Sequence, residues 1–439
     1  MDESCQFLSI YSSEVNIMNR KLFGFSRIIA AILAISCLFG CSGGHISTPE
    51  PSTGNTPDPH SHIPSGAEYI SVSGGNVGSD YVDSVNSFAS RMLLELGDGW
   101  TGVVSPISVQ LSMQLLANGA SPEVQEKMLA ALGYSGSMED MNYSSIAFIR
   151  TLLAEWDKDS AKFSIANAVY ADKDKEFIDS FVKNAYDFYD ADLGSMDFSD
   201  EKKSVDAINA WVKEKTNGMI DEIVGELPYD TLSVILNAIY FKALWNEAFT
   251  AYKSASEFHG LNGDSMVTML FNGANYQYAS FSEGEMLLIP YMGGEYSMAL
   301  VLPGESYTPS SAMAALIGRW NECDYRNCNV TMPSVELSTD LDMIPILSNM
   351  GFSDALNAVD TFDGIIAGEE LAVGLIRHAA KLKVTERGTE AGAATVIANY
   401  PTAAAPTDII DFTCNRPYAM AIVNNATGAV IFVSCVNDL

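Results

Sequence analysis

The sequence predicts an α+β fold in one large domain, preceded by an export signal and a polar tether. Segments with helical periodicity come first, β-rich runs come later, and no second linker or internal repeat interrupts residues 69–439. Helices that precede strands, instead of alternating with them, favour an α+β arrangement over a parallel α/β one. Apolar residues make up 48% of the chain and charged residues 18%, so the chain can fill a large core.

Three segments have the pattern of amphipathic helices. The first ends at Gly97 and has apolar residues at helical spacing, namely Val82, Val85, Phe88, Ala89, Met92 and Leu96. The second has Ser105 as its N-cap, Pro106 in its first turn and Gly119 beyond its end. The third spans residues 204–215.

Later segments have the period and composition of strands. Residues 232–240 form a nearly continuous apolar run, which is typical of a strand buried on both faces. Residues 425–428 favour a turn. Further β-rich runs lie at 286–289, 297–302, 418–423 and 429–433.

The N-terminus has the features of an export signal. Arg20, Lys21 and Arg27 precede an apolar run at residues 28–39, which is too short to span a bilayer as a mature helix. The run closes in Leu38-Phe39-Gly40-Cys41, which resembles a bacterial lipobox.

The lipobox resemblance implies that Cys41 is acylated and becomes the N-terminus of the mature protein. Ordinary secretion is the alternative, and Cys37 is a poorer acceptor for the lipid. We expect Met18 to be the true start and residues 1–41 to contain the signal peptide. The expected location is therefore the bacterial cell envelope, as an exported lipoprotein anchored to a membrane whose face the sequence leaves open.

Residues 42–75 predict a flexible tether before the folded domain. Up to about Gly66 the segment is rich in Pro, Ser, Gly, Thr and His and has almost no apolar residues, so it cannot bury enough surface to fold. Its histidines, His45, His60 and His62, are scattered, and we expect them to be incidental and not a metal site.

Charge and motifs exclude several classes of function. The formal net charge of −31 repels phosphate backbones, so we expect no nucleic-acid partner. The chain has no Walker loop, no G-x-S-x-G elbow and no HExxH helix, and the folded region's two histidines, His259 and His378, lack a nucleophile context. The sequence therefore predicts neither an enzyme nor a cofactor or metal site.

Four cysteines lie in the folded region, and export would allow disulfides among them. Cys323 and Cys328 could bridge a short surface loop, whereas Cys414 and Cys435 sit in strand-like segments where small buried hydrophobes are common. The sequence leaves the pairing open.

One segment lacks both charge and core-forming side chains. Between Glu390 and Asp408 lie seventeen uncharged residues that include Pro401 and Pro406. A structureless stretch of this length inside a compact domain is usually functional or disordered. At a period of two, one face carries five residues that are uncharged and mostly small, so the first half of the segment could also be buried between strands: Thr389, Ala391, Ala393, Thr395 and Ile397.

These residues carry a family resemblance. Residues 386–395, Glu-Arg-Gly-Thr-Glu-Ala-Gly-Ala-Ala-Thr, resemble the hinge of the serpin reactive-centre loop. Other serpin-like motifs occur in the family's order across residues 80–439: Ser105-Pro106-Ile107-Ser108, Thr216-Asn217-Gly218-Met219-Ile220, the run at 237–245, Arg416-Pro417-Tyr418, and the turn and end at 425–428 and 436–438. Several such motifs in order are far more specific than any one alone.

The resemblance implies a serpin fold over residues 76–439. In that fold, helices pack on a large central mixed β-sheet with two further sheets, and a reactive-centre loop, here residues 386–411, is exposed. The matched hinge residues are Glu386, Gly388, Thr389, Ala391 and Ala393. The matched shutter residues, a polar cluster where the central sheet parts, are Ser105, Ser108, Asn237 and His378, and Trp245 matches the breach where the loop enters.

The resemblance also implies a monomeric suicide inhibitor of serine proteases and of some cysteine proteases. Counting from Glu386 places the reactive bond between Thr402 and Ala403, and these small residues favour elastase-like targets. The loop is a few residues longer on its C-terminal side than in many serpins, which leaves Ala403, Ala404 and Ala405 open as alternatives to Thr402. A non-inhibitory binding protein with the same fold is the second hypothesis.

Overall fold

A computed structural model describes residues 77–153, 161–228, 231, 233–357, 361–368, 376–389 and 408–439. All of these residues belong to one compact unit. The predicted lipid attachment at Cys41 and the predicted tether lie outside the described residues. Within the described ranges, no helix is both long and apolar enough to cross a membrane.

The helices are concentrated in the first part of the domain. They are α1 Ser79–Leu96, α2 Pro106–Ala117, α3 Pro122–Ala131, α4 Met138–Leu153, α5 Asp179–Tyr189, α6 Glu201–Lys215, α7 Pro309–Leu316, α8 Ile344–Leu347 and α9 Ser353–Asn357, with a 3₁₀ turn at Trp320–Glu322 and a π turn at Ser348–Phe352.

The strands form three sheets. They are β1 Gly102–Val104, β2 Ala161–Asp172, β3 Ala191–Met196, β4 Ser233–Leu244, β5 Thr250–Ala251, β6 Ser256–His259, β7 Asp264–Val267, β8 Met269–Ser280, β9 Gly284–Pro290, β10 Tyr296–Pro303, β11 Asp324–Pro333, β12 Val335–Asp342, β13 Arg377–Thr385, β14 Gly388–Thr389, β15 Ile410–Thr413, β16 Tyr418–Asn424 and β17 Val430–Val436.

The strand orders separate a central sheet from a larger one. The central sheet runs β12-β13-β14-β4-β2-β3, and the larger sheet runs β1-β17-β16-β10-β9-β8-β11-β15, with β5 paired to β8. The third sheet is the β6–β7 hairpin. The α+β prediction is confirmed.

Strand β4 is buried on both faces of the central sheet. Ile239 and Phe241 belong to the main core, which also contains residues of α1, α2 and the larger sheet. Leu236 belongs to a second cluster on the opposite face, beneath Ile208 and Val212 of α6. Burial on two faces explains why β4 has a continuous apolar sequence and not an alternating one.

The central sheet is parted between β4 and β13. Strand β14 pairs antiparallel with β13, through Val384↔Thr389, and with β4, through Ala243↔Thr389. Strands β4 and β13 are described along their whole length, and they form no ladder with each other. Two residues of β14 thus hold apart two strands that are parallel to one another.

Local sequence signals predicted several elements well. The helix expected to end at Gly97 is α1, with Gly97 at its C-cap, and the helix expected after Ser105 is α2, with Ser105 as its N-cap. The third predicted helix is α6, and the predicted run at 232–240 lies almost wholly in β4. The sequence patterns did not predict β2 and β3, which lie among the N-terminal helices.

All four cysteines of the domain are buried free thiols. The suggested bridge between Cys323 and Cys328 is therefore absent, and Cys328 instead occupies an inward position of β11. Cys414 and Cys435 lie in the main core, as expected for small buried hydrophobes. Burial raises the pKa of the Cys323 thiol to about 11, so it is protonated at neutral pH.

Candidate functional site

The start of the predicted loop is a tight turn that leads into the central sheet. The Thr385 hydroxyl donates to the carbonyl of Gly388 over 3.0 Å, closing the turn through Glu386 and Arg387. Gly388 and Thr389 then form β14, and both are buried. The loop resemblance placed Thr389 outside the sheet before cleavage, whereas the structure places it inside, because the turn reverses the chain immediately after β13.

Gly388 is required at its position by the closeness of the neighbouring strand. A Cβ atom added there would lie 2.0 Å from the carbonyl oxygen of Ala243. Real Cβ atoms do not approach backbone oxygen this closely, so any other residue would push β14 away from β4. This matched hinge residue therefore has a steric reason to be glycine.

Thr389 has a specific buried partner. Its side chain is fully buried, and its Oγ1 lies 2.6 Å from the Tyr291 hydroxyl. Burial raises the pKa of Tyr291 well above its usual range, so the phenol remains protonated. The site around Thr389 therefore accepts a small side chain and offers it one hydrogen-bonding group, the Tyr291 hydroxyl.

Trp245 holds the turn from the side of β4. Its Nε1 donates to the Thr385 carbonyl over 2.9 Å, and its backbone N–H donates to the Arg387 carbonyl over 2.8 Å. The Phe249 N–H donates to the carbonyl of Glu386 over 2.7 Å. The Trp245 ring stacks on Tyr291 with centroids 4.5 Å apart, so the predicted breach residue contacts both the turn and the partner of Thr389.

The four predicted shutter residues are all buried at the first turn of α2. The Ser105 N–H donates to Nε2 of His378 on β13 over 3.0 Å. The Ser108 hydroxyl donates to Oδ1 of Asn237 on β4. One helical turn thus binds both strands that flank the parting of the sheet.

The polar cluster continues into β2. The Asn237 amide donates to Oδ1 of Asn167 over 2.5 Å, and the Asn167 amide donates to the carbonyl of Tyr189 over 2.8 Å. Buried polar groups are costly unless they are hydrogen-bonded, and these partners satisfy the two amides. His378 accepts at Nε2, so it is neutral, and burial lowers its pKa to about 4.

Sequence reasoning missed Asn167 and Tyr291. A signal existed for Asn167, since it occupies the middle of an otherwise apolar alternation at 163–169, as Asn237 does in its own strand. Tyr291 had no such signal, because an aromatic residue after an apolar strand is ordinarily a core residue. The remaining predicted site residues, Ala391, Ala393, Thr402 and Ala403, lie outside the described residues.

The described residues offer no arrangement for catalysis. His259 is half exposed and pairs with Asp264 at 2.9 Å, with no nucleophile among its partners. His378 has its Nε2 occupied by a backbone N–H. Within the described ranges, no group of three or more His, Cys, Asp or Glu side chains could hold a metal ion.

We expect the free energy of unfolding to fall as the pH decreases from about 6.5 to about 4, because His378 must stay neutral in the folded protein. An unfolded imidazole binds a proton near pH 6.5, whereas the buried His378 has a pKa of about 4. Between pH 6.5 and about pH 4 the unfolded state binds more protons than the folded state. The stabilisation from neutral His378 is therefore complete above pH 6.5 and is lost as the pH falls toward about 4. The shift corresponds to about 3 kcal/mol.

Urea unfolding of the protein and of the His378→Gln variant across this range measures the effect. Carboxylates titrate in both proteins, so the difference between their pH slopes isolates the imidazole. Equal slopes would show that His378 does not titrate between the two states.

We expect Tyr291→Phe and Thr389→Val each to lower the free energy of unfolding by about 1–3 kcal/mol, because each leaves the other hydroxyl buried without its partner. The double variant removes both hydroxyls and should be more stable than the sum of the single effects predicts, with a coupling of about 0.5 kcal/mol or more. Chemical denaturation of the four proteins measures this cycle. Additive effects would contradict a hydrogen bond between these side chains.

Comparisons with known proteins agree with this geometry. The family description Serpin (serine protease inhibitor) matches residues 83–439. Serpin-ZX of Arabidopsis thaliana is 27% identical over 374 residues, which cover 80% of this chain and 95% of that protein. The native-state structure of tengpin, a thermophilic serpin, has a TM-score of 0.75 and 25% identity over 84% of this chain and 96% of that one.

Human thyroxine-binding globulin complexed with thyroxine has the same fold, with a TM-score of 0.72 and 22% identity over 82% of this chain and 99% of that one. The central sheet, the hinge turn and the family match, which spans most of the chain, lead to the same conclusion. The chain belongs to the serpin family, whose members are generally serine protease inhibitors and not enzymes.

Proposed function

We propose that this chain is an inhibitory serpin that traps its target protease by inserting the cleaved loop into the central sheet. The observation that carries the proposal is the position of β14, where Gly388 and Thr389 pair with both β4 and β13. On the N-terminal side of Ala243 in β4 and of Val384 in β13, no described strand pairs with the edges of these two strands that face each other. A strand that continues from Thr389 would meet two backbone edges suited to accept it.

Insertion supplies the driving force in this proposal. The protease attacks the loop as a substrate and forms an acyl-enzyme, and the freed segment then extends β14. About a dozen inserted residues would add a comparable number of backbone hydrogen bonds, each worth about 1 kcal/mol net. The outcome is a competition between insertion and hydrolysis of the acyl-enzyme, so a slow hinge would yield a cleaved substrate.

The alternative is a non-inhibitory binding protein, for which thyroxine-binding globulin is a precedent in the same fold. The hinge sequence favours the inhibitor. Residues 391–400 contain neither proline nor charge, so no residue there opposes burial between strands. The fully buried Thr389 indicates that the sheet has space for a small side chain at the first inserted position.

The proposed reactive bond joins Thr402 to Ala403. Small side chains at this bond suit the shallow specificity pocket of an elastase-like protease. Tyr400 would suit a chymotrypsin-like protease, but Pro401 follows it and most serine proteases reject proline there. Cleavage after Ala403, Ala404 or Ala405 is the alternative within the same target class.

We expect Thr389→Arg to convert the inhibitor into a substrate of elastase. Before cleavage the arginine would displace β14 from the sheet, because its guanidinium would have no partner between β4 and β13. Insertion would then have to bury that guanidinium, at a cost of several kcal/mol. The bond after Thr402 would still be cut, but insertion would lose the competition with hydrolysis. Denaturing gel electrophoresis after incubation with elastase should show the cleaved band without the covalent complex.

Thr389→Ser is the matched control, because it keeps a small side chain and the hydroxyl that contacts Tyr291, and it should still form the complex. Trapping by Thr389→Arg at the parent stoichiometry would mean that inhibition does not depend on insertion of the hinge. The released peptide should begin at Ala403. A peptide that begins at Tyr400 or earlier, or beyond Pro406, would contradict the assigned bond.

The proposed location is the bacterial cell envelope, through a lipid on Cys41. We expect Cys41→Ala to yield a soluble or unprocessed protein, because the variant lacks the thiol that accepts the lipid. Membrane fractionation with labelled fatty acid measures this, and Cys37→Ala is the matched control. A Cys41→Ala protein that stays in the membrane with unchanged labelling would place the anchor elsewhere.

A further inference from the structure

One side of β11 faces outward at the end of the larger sheet next to the loop. The Asn329 amide on β11 donates to Oδ1 of Asp411 on β15 over 2.8 Å, so these side chains lie on the same side of the sheet. Their neighbours Cys328 and Val330 are buried on the opposite side. Side chains alternate along a strand, so Tyr325 and Asn327 share the outer side with Asn329. We name this side the β11 outer face.

The β11 outer face combines an exposed aromatic ring with side-chain amides. Tyr325 is 66% exposed, although no fold requirement keeps an aromatic ring at an exposed strand position. Gln277 and Asn275 of β8 lie opposite Tyr325 and Asn327. The charged member is Asp411, which is hydrogen-bonded to Asn329, in a protein whose net charge is −31. Aromatic and uncharged polar side chains are typical of recognition surfaces, from which charge is depleted.

Chain length places the proposed reactive bond near this face. Ile409, which is 43% exposed, precedes the first residue of β15. Five residues lie between it and Ala403, and six fully extended residue steps span at most about 22 Å. A protease domain of roughly 230 residues has a radius of gyration of about 17 Å. The reactive bond therefore lies at most about 22 Å from Ile409, and this distance is comparable to the size of the protease.

We propose that the β11 outer face is a secondary docking surface for the target protease, which contacts it around Tyr325 while its active site holds the reactive bond. This inference rests on the proposed function. The segment from Thr389 to Thr402 is twice as long as the segment from Ala403 to Ile409 and constrains the protease less. The short segment therefore determines which surface of the domain the protease meets.

The contact belongs to the encounter complex alone. In the acylation step the serine Oγ of the protease bonds to the carbonyl carbon of Thr402, the bond to the nitrogen of Ala403 breaks, and the new amine takes a proton. The protease then remains on the Thr402 side, whereas the β11 outer face remains with Ala403. The face therefore affects the rate at which the loop is attacked and leaves the partition between trapping and hydrolysis unchanged.

The test compares Tyr325→Ala and Asn327→Ala with Leu94→Ala, in elastase incubations that measure both the rate of loop cleavage and the fraction trapped. Leu94 is 54% exposed on α1, which contributes no residue to the face, so it controls for the loss of an exposed apolar side chain. We expect Tyr325→Ala to slow cleavage about tenfold, Asn327→Ala to slow it less, and Leu94→Ala to leave it unchanged. The fraction trapped and the midpoint of thermal unfolding should match the parent protein.

Two outcomes would overturn the inference: cleavage of Tyr325→Ala at the parent rate, or an equal slowing by Leu94→Ala. Failure of the proposed function looks different, because the parent protein would then be cleaved without any covalent complex. Cleavage rates still report on docking in that case, so slower cleavage of Tyr325→Ala would support the surface even for a protein that is only a substrate.

Discussion

The pairing of Gly388 and Thr389 with both β4 and β13 is the constraint on which the central sheet depends. A strand between two others keeps them two ladder spacings apart, about 9.5 Å. Direct pairing of β4 with β13 at this level would require β14 to leave, and Trp245 and Tyr291 hold it through its turn and through Thr389. The central sheet is therefore held parted at the end that contains β14.

Away from β14, polar contacts instead of packed apolar side chains connect the two parted strands to α2. An interlocked apolar core resists being opened, because each shift loses close contacts. Hydrogen-bonded side chains can exchange partners at lower cost. The first turn of α2 meets β13 through Ser105 and His378 and meets β4 through Ser108 and Asn237. A single rigid element can thus accommodate movement between the two strands.

In the proposed mechanism, recognition and trapping would depend on different parts of the molecule. The proposed reactive bond and the β11 outer face would determine which protease reacts and how fast, because a short segment joins the bond to β15, which pairs with β11. The pairing edges of β4 and β13 would determine whether the reaction ends in a trapped enzyme. Selection can therefore change specificity in the loop and in an exposed face without disturbing the sheet.

The sequence by itself determined the elements with local signals and the family-like motifs. The cap at Ser105, the end of α1 at Gly97 and the apolar run of β4 need only neighbours along the chain. The roles of Trp245 and His378 follow from the family resemblance of the sequence. The tertiary structure alone decided that Thr389 is already buried with Tyr291 as its partner. It also decided that Asn237 pairs with Asn167 and that the four cysteines of the domain are unpaired. Those facts depend on contacts between residues distant in sequence, which no local pattern records.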